Sequence, residues 1–171
     1  LRSEALRFLD IADGATFAEM QDLYPRYFKD YIAKGVELGI LDSHLTHFDL
    51  EKLGKALLPE RDLQFTYLSL QTLYDRYFIH SNNTRYELPQ VFFMRVAMGL
   101  ALNEEHKEQR AIEFYQLLSS FDYMSSTPTL FNSGTVRSQL SSCYLTTVPD
   151  DLKGIYDAIR DNALLSKYAG G

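Results

Sequence analysis

From Ser126 to Tyr144 the chain reads STPTLFNSGTVRSQLSSCY, and this stretch separates two unlike parts of the sequence. Up to Asp122 the texture is helical; beyond it Ser, Thr, Pro, Asn and Gly displace the periodic apolar residues, which predicts a loop. Behind the loop, Leu140-Ser-Ser-Cys-Tyr-Leu-Thr-Thr-Val148 alternates and becomes β-branched, which predicts a strand. Pro149-Asp150-Asp151 then opens a last helix, with Leu152, Ile155, Tyr156, Ile159 and Ala163 as its expected buried stripe. A strand followed by a helix is how an α/β unit begins.

Upstream, apolar residues recur at intervals of three and four from Phe17 to Ile40, which predicts one or two helices. A short helix is expected over Asp49 to Leu57. Another runs from Thr66 to Ile79, with Tyr67, Leu70, Tyr74, Tyr77 and Phe78 on one stripe. Asn82-Asn83 tolerates positive φ and predicts a sharp turn, read as a small hairpin reaching Tyr86. Pro89 suits a first helical position, and the residues from Val91 to Ala101 are apolar all round, the pattern of a central buried helix. Arg95 lies inside that helix and needs a partner, because an unpaired buried guanidinium costs several kcal/mol as an order of magnitude. Glu105 to Phe121 reads as a surface helix with Ala111, Phe114, Tyr115, Leu118 and Phe121 inward.

Composition narrows the function classes. The 171 residues are 46% hydrophobic with a formal net charge of -6, enough apolar content for a packed core and no lysine–arginine surplus for holding nucleic acid. No run of about 18 apolar residues and no charged-then-apolar leader is present, so neither a membrane span nor a signal peptide is expected. The lone cysteine, Cys143, cannot form an intrachain disulfide and reads as cytoplasmic. His44 and His47 are three apart while His80 and His106 stand alone, which gives no metal constellation. The twelve tyrosines and eleven phenylalanines fall at helical spacing, the mark of core and interface rather than a radical relay. Both chain ends read as cuts within a longer protein.

On the residues alone, Cys143 is open to two readings, a small buried hydrophobe or a reactive thiol. The hydroxyls and backbone N–H groups of Thr127-Pro-Thr129 are the donors a phosphate ester requires, although an ordinary turn has them too.

The string TPTLFNSGTVRSQLSSCYL resembles the segment by which the large subunits of class I ribonucleotide reductases enter a ten-stranded α/β barrel. The helical stretch before it is similar in order and spacing, through Tyr24 to Gly39, the segment ending at Ile79, and Tyr86 to Gly99. The resemblance implies a mainly α fold: a helical N-terminal domain over residues 1–122, then a substrate loop, first strand and first helix of the barrel over 123–171, truncated there. It implies that Cys143 is one of two thiols that reduce the substrate ribose. Thr127 and Ser142 would bind the substrate's diphosphate and sugar, and Asp150, with Asp151 beside it, the ribose of a deoxynucleoside triphosphate or ATP effector. The family often has Ser after that Asp, whereas this chain has Asp151.

The partner thiol and the family's radical-bearing cysteine lie downstream, so these residues alone are expected to be inactive. The implied partners are ribonucleoside diphosphates, a thioredoxin- or glutaredoxin-type dithiol reductant, a separate radical-generating small subunit and a second copy of the large subunit, with no cofactor or metal in this chain. Class II enzymes share the loop but use adenosylcobalamin. A helical interaction or regulatory module without catalysis is the other alternative.

Overall fold

The reciprocal cap at Thr16 starts the longest helix. The Thr16 hydroxyl accepts from the Glu19 N–H, and the Glu19 carboxylate accepts from the Thr16 N–H at 2.7 Å. In the computed structural model, which describes residues 1–167, this helix, α2, runs Phe17–Glu37 after a short α1 over Arg2–Phe8. Met20, Tyr24, Tyr27, Phe28, Tyr31 and Ile32 form its buried face. α3, Leu50–Lys55, is capped by the Asp49 carboxylate and packs on α2. The Ala169-Gly170-Gly171 end lies outside the described residues.

α4 follows at Tyr67–Arg76, again with a threonine cap, Thr66. It rides on the surface: Tyr67 is 83% exposed, so only the later part of its expected stripe is covered. The Asn-Asn turn then joins β1, His80–Ser81, antiparallel to β2, Thr84–Arg85, with Asn82 and Asn83 both at positive φ, the backbone a tight hairpin requires.

α5, Pro89–Ala101, is the centre of the molecule. Every residue from Pro89 to Met98 is buried, as all-round apolarity requires, and Pro89 occupies an opening position where no N–H is needed. α6, Lys107–Ser119, packs against it through Ala111, Tyr115 and Leu118. One buried cluster extends from Ala5 to Leu130 through these helices.

Three features beyond Asp122 differ from the expectations. Residues Thr127–Asn132 form a six-residue helix, α7, rather than a loop; Pro128 is tolerated because it sits at the helix start. Leu140 to Val148 forms no β ladder among the described residues. Alternation makes a strand only when a neighbouring edge accepts its hydrogen bonds, and no described segment offers one. α8, Leu152–Lys167, opens where expected but lacks the expected burial. Leu152, Tyr156 and Ile159 are 73%, 64% and 57% exposed and only Ala158 is buried, because no described element lies over the apolar stripe. The described part is thus mainly helical with one two-stranded sheet, and none of its helices is long and apolar enough to cross a membrane.

Candidate functional site

The 126–144 stretch is built onto the helical body from beneath. Arg95, on α5, is completely buried, and its partner is Glu87, also completely buried. The Arg95 Nε donates to Glu87 Oε1 at 2.7 Å and Nη2 to Oε2 at 3.3 Å, a two-pronged pair. The remaining N–H groups reach the loop: Nη1 donates to the carbonyls of Ser133 at 2.7 Å and Phe131 at 3.4 Å, and Nη2 to that of Leu130 at 3.2 Å. All five guanidinium donors therefore have acceptors.

Glu87 is saturated as well, accepting from the Tyr31 hydroxyl at 2.5 Å and the Ile79 N–H at 3.0 Å. Burial, and then the Glu87 charge, push the Tyr31 hydroxyl well above the usual tyrosine range. Burial is the largest influence on Arg95 and opposes its charge, but Glu87 and Tyr31 together outweigh it and the net direction is upward.

Two glycines bring the loop backbone directly onto α5. A Cβ on Gly99 would lie 2.1 Å from the Gly134 nitrogen, and Gly134 itself has φ +76°, a conformation few side chains permit. Ser133 Oγ donates to the Val96 carbonyl at 2.7 Å. On the other side Asp42 N donates to Gly134 O and Val136 N to Ile40 O.

On this foundation the sequence-predicted residues take their places. Thr127 opens α7 and is exposed, its hydroxyl 3.2 Å from that of Tyr77. The Tyr77 ring stacks on Phe131 at 4.8 Å. A cleft of about 550 Å³ adjoins them, lined by Arg76, Tyr77, His80, Phe131, Asn132 and Arg137 among others. Thr129 Oγ1 donates to the Leu140 carbonyl at 3.1 Å and Asn132 Nδ2 to the Gln139 carbonyl at 2.7 Å, so the chain is folded back against α7 just ahead of Ser142 and Cys143.

Cys143 is a free, exposed thiol, with the Ser142 hydroxyl 3.9 Å from its sulfur. No hydrogen bond among the described residues joins Thr127 to Ser142 or Cys143. Asp150 and Asp151 are exposed, and of the Pro149-Asp150-Asp151 opening it is Asp151 that caps α8, its carboxylate accepting from Gly154 N at 2.8 Å. Among the described residues no group of three or more His, Cys, Asp or Glu is placed to hold a metal.

Sequence reasoning left Glu87 unnamed and placed Tyr77 only on a helix stripe, with no part in the site. Glu87 had a signal: it is the only acid between Asp75 and Glu104, and a buried arginine inside that interval needs one. Tyr77 carried no signal of its own, because its ring and hydroxyl meet α7 only through the tertiary fold.

Comparison with known proteins adds an independent line. The family described as "Ribonucleotide reductase, all-alpha domain" matches residues 63–138. The chain is 56% identical over 154 residues to the ribonucleoside-diphosphate reductase subunit alpha of Chlamydia trachomatis, an alignment covering 90% of this chain and 15% of that protein. It is 49% identical over 148 residues to the subunit of the same name from Helicobacter pylori, covering 85% of this chain and 19% of that protein. A ribonucleoside-diphosphate reductase large subunit from Monkeypox virus is 43% identical over 122 residues, 71% of this chain and 15% of that protein. The chain therefore spans less than a fifth of the length of these curated relatives.

Proposed function

Because the chain belongs to the family of ribonucleotide reductase large subunits, we propose that it is an N-terminal part of a subunit that reduces ribonucleoside diphosphates to deoxyribonucleoside diphosphates. In this reading Cys143 supplies one of two thiols. The substrate loses its 2′-hydroxyl as water, the carbon gains a hydrogen, and the two thiols are oxidised to a disulfide that an external dithiol of the thioredoxin or glutaredoxin type reduces again. A serine cannot replace that sulfur. Cys143 is the only cysteine among the 171 residues, so the second thiol and the radical-bearing one belong to sequence outside them.

Thr127 and Ser142 bind the diphosphate and sugar of the substrate, and Asp150 the ribose of a deoxynucleoside triphosphate or ATP effector. Asp151, already engaged with the α8 N-terminus, is the lesser effector contact. Residues 140–148 become the first strand of an α/β barrel once a neighbouring strand pairs with them, and α8 becomes its first helix. That assembly divides the chain into a helical domain over 1–122 and a barrel opening over 123–171. It also gives the exposed apolar stripe of α8 a surface to cover it. The radical is generated on a separate small subunit, the large subunit pairs with a second copy of itself, and the enzyme works in the reducing cytoplasm.

The observation that carries the proposal is the setting of the thiol: Cys143 is exposed and follows a segment anchored by Thr129 and Asn132 on α7, instead of filling the core. That exposure argues against a module in which Cys143 is buried filler. The test is Cys143→Ser in the complete large subunit, assayed with a dithiol reductant. Turnover is expected to be abolished, and undiminished dithiol-dependent turnover refutes the proposal.

A further inference from the structure

One buried cation sets the position of the whole 127–140 segment. Glu87 fixes the Arg95 guanidinium on one side, and on the other the guanidinium holds the carbonyls of Leu130, Phe131 and Ser133, where α7 ends. The opposite end of that short helix begins with Thr127. From the same helix Thr129 and Asn132 grip the carbonyls of Leu140 and Gln139, immediately before Ser142 and Cys143.

The linkage has little slack. The Gly99–Gly134 approach leaves no room for even one added carbon, and Ser133 bonds the Val96 carbonyl. Stability alone gives no reason for an arginine here, since apolar residues of similar volume often replace a buried ion pair at no loss. An apolar side chain, however, has no donors with which to hold three carbonyls of one loop.

We propose that Arg95 is a positioning residue for the reduction, fixing through α7 where both the Thr127 hydroxyl and the Cys143 thiol stand. The inference rests on the roles given above to Thr127 and Cys143. It goes beyond them by assigning their alignment to a residue of the helical body that touches no substrate.

The test is Arg95→Lys in the complete large subunit. Lysine keeps a positive charge beside Glu87, but its single nitrogen cannot fork to the loop carbonyls. A displacement of reacting groups by about 1 Å costs on the order of 100-fold. The variant should therefore lose about 10- to 100-fold in kcat/KM, with a raised KM for the ribonucleoside diphosphate and an altered rate of Cys143 alkylation. Leu53→Ala, a core truncation on α3, serves as the control for lost stability and should leave both KM and alkylation unchanged. Ser133→Ala loosens the same junction without touching the charge, should move both readouts in the direction of the lysine variant, and decides the matter alone should Arg95→Lys fail to fold. KM and alkylation that match the Leu53→Ala control overturn the role of Arg95. Loss of turnover in Cys143→Ser together with that result leaves the reductase reading standing, whereas normal turnover in Cys143→Ser removes the reading itself.

Discussion

Replacing Glu87 with glutamine changes one oxygen into an amide and should unseat the centre of the helical body. Both Glu87 oxygens are occupied, Oε1 by Tyr31 and Arg95 Nε and Oε2 by Ile79 N and Arg95 Nη2. A glutamine NH₂ must therefore face a donor at one of these positions, and the Arg95 charge loses its counterpart where neither side chain has any solvent exposure. Breaking a buried pair from one side costs about 3–5 kcal/mol. For a chain of this size each kcal/mol moves Tm by roughly 2–4 °C, so the variant should melt roughly 6–20 °C lower. Denaturant titration should show a lower midpoint at unchanged slope. The double variant Glu87→Met/Arg95→Met should recover part of the loss, because it removes both charges together, and only part, because the carbonyls of Leu130 and Ser133 lose their donors. A Gln variant within about 0.5 kcal/mol of the parent, the range of ordinary surface substitutions, or a double variant as unstable as the two singles summed, would refute the reasoning.

Two further outcomes follow from the same packing. Gly99→Ala places a carbon 2.1 Å from the Gly134 nitrogen and should cost about 1–3 kcal/mol by overpacking, read by thermal melting; a neutral substitution would mean that the loop does not rest on α5. Asp62 accepts from the Tyr24 hydroxyl and from Gln90 Nε2, and burial lifts its carboxyl above the ordinary aspartate range despite those bonds. A raised folded-state value means that the folded chain binds this proton more tightly than the unfolded one. The stability it contributes is then fully present below the unfolded carboxyl's range and is lost as pH rises through the raised value. Denaturation of the parent and Asp62→Asn from about pH 7 down to about pH 3 should therefore shift in the parent's favour in acid; a shift toward the variant would contradict the burial.

The helices were legible because periodicity and caps are local. Pro89 and the Asn82-Asn83 turn announce their elements within a few residues, and the Thr16 cap, equally local, went unread. The need of Arg95 for a partner was equally legible, since it follows from one charge in an apolar run. What local pattern could not supply was context. Leu140 to Val148 alternates like a strand, yet a ladder is a property of two segments and the second is missing from the described residues. Thr127 to Asn132 is polar enough to read as a loop, and the Arg95 guanidinium that receives the carbonyls of Leu130 and Ser133 at its C-terminal end stands 35 to 38 residues away in sequence. At the candidate site, Thr127, Ser142, Cys143, Asp150 and Asp151 were named from the resemblance, and which neighbours each would meet was not contained in it.

Every residue from Ser141 to Asp150 is exposed, while the interior is completed by residues up to Leu130. The helical body therefore makes almost no demand on side-chain identity in that decade of sequence: a serine, a cysteine or a leucine there leaves its interior unchanged. What constrains it lies beyond the helical body, in the strand that would pair with it and in the molecules its side chains would meet, whereas Phe92 and Val96 are held to their identities by the packing around them.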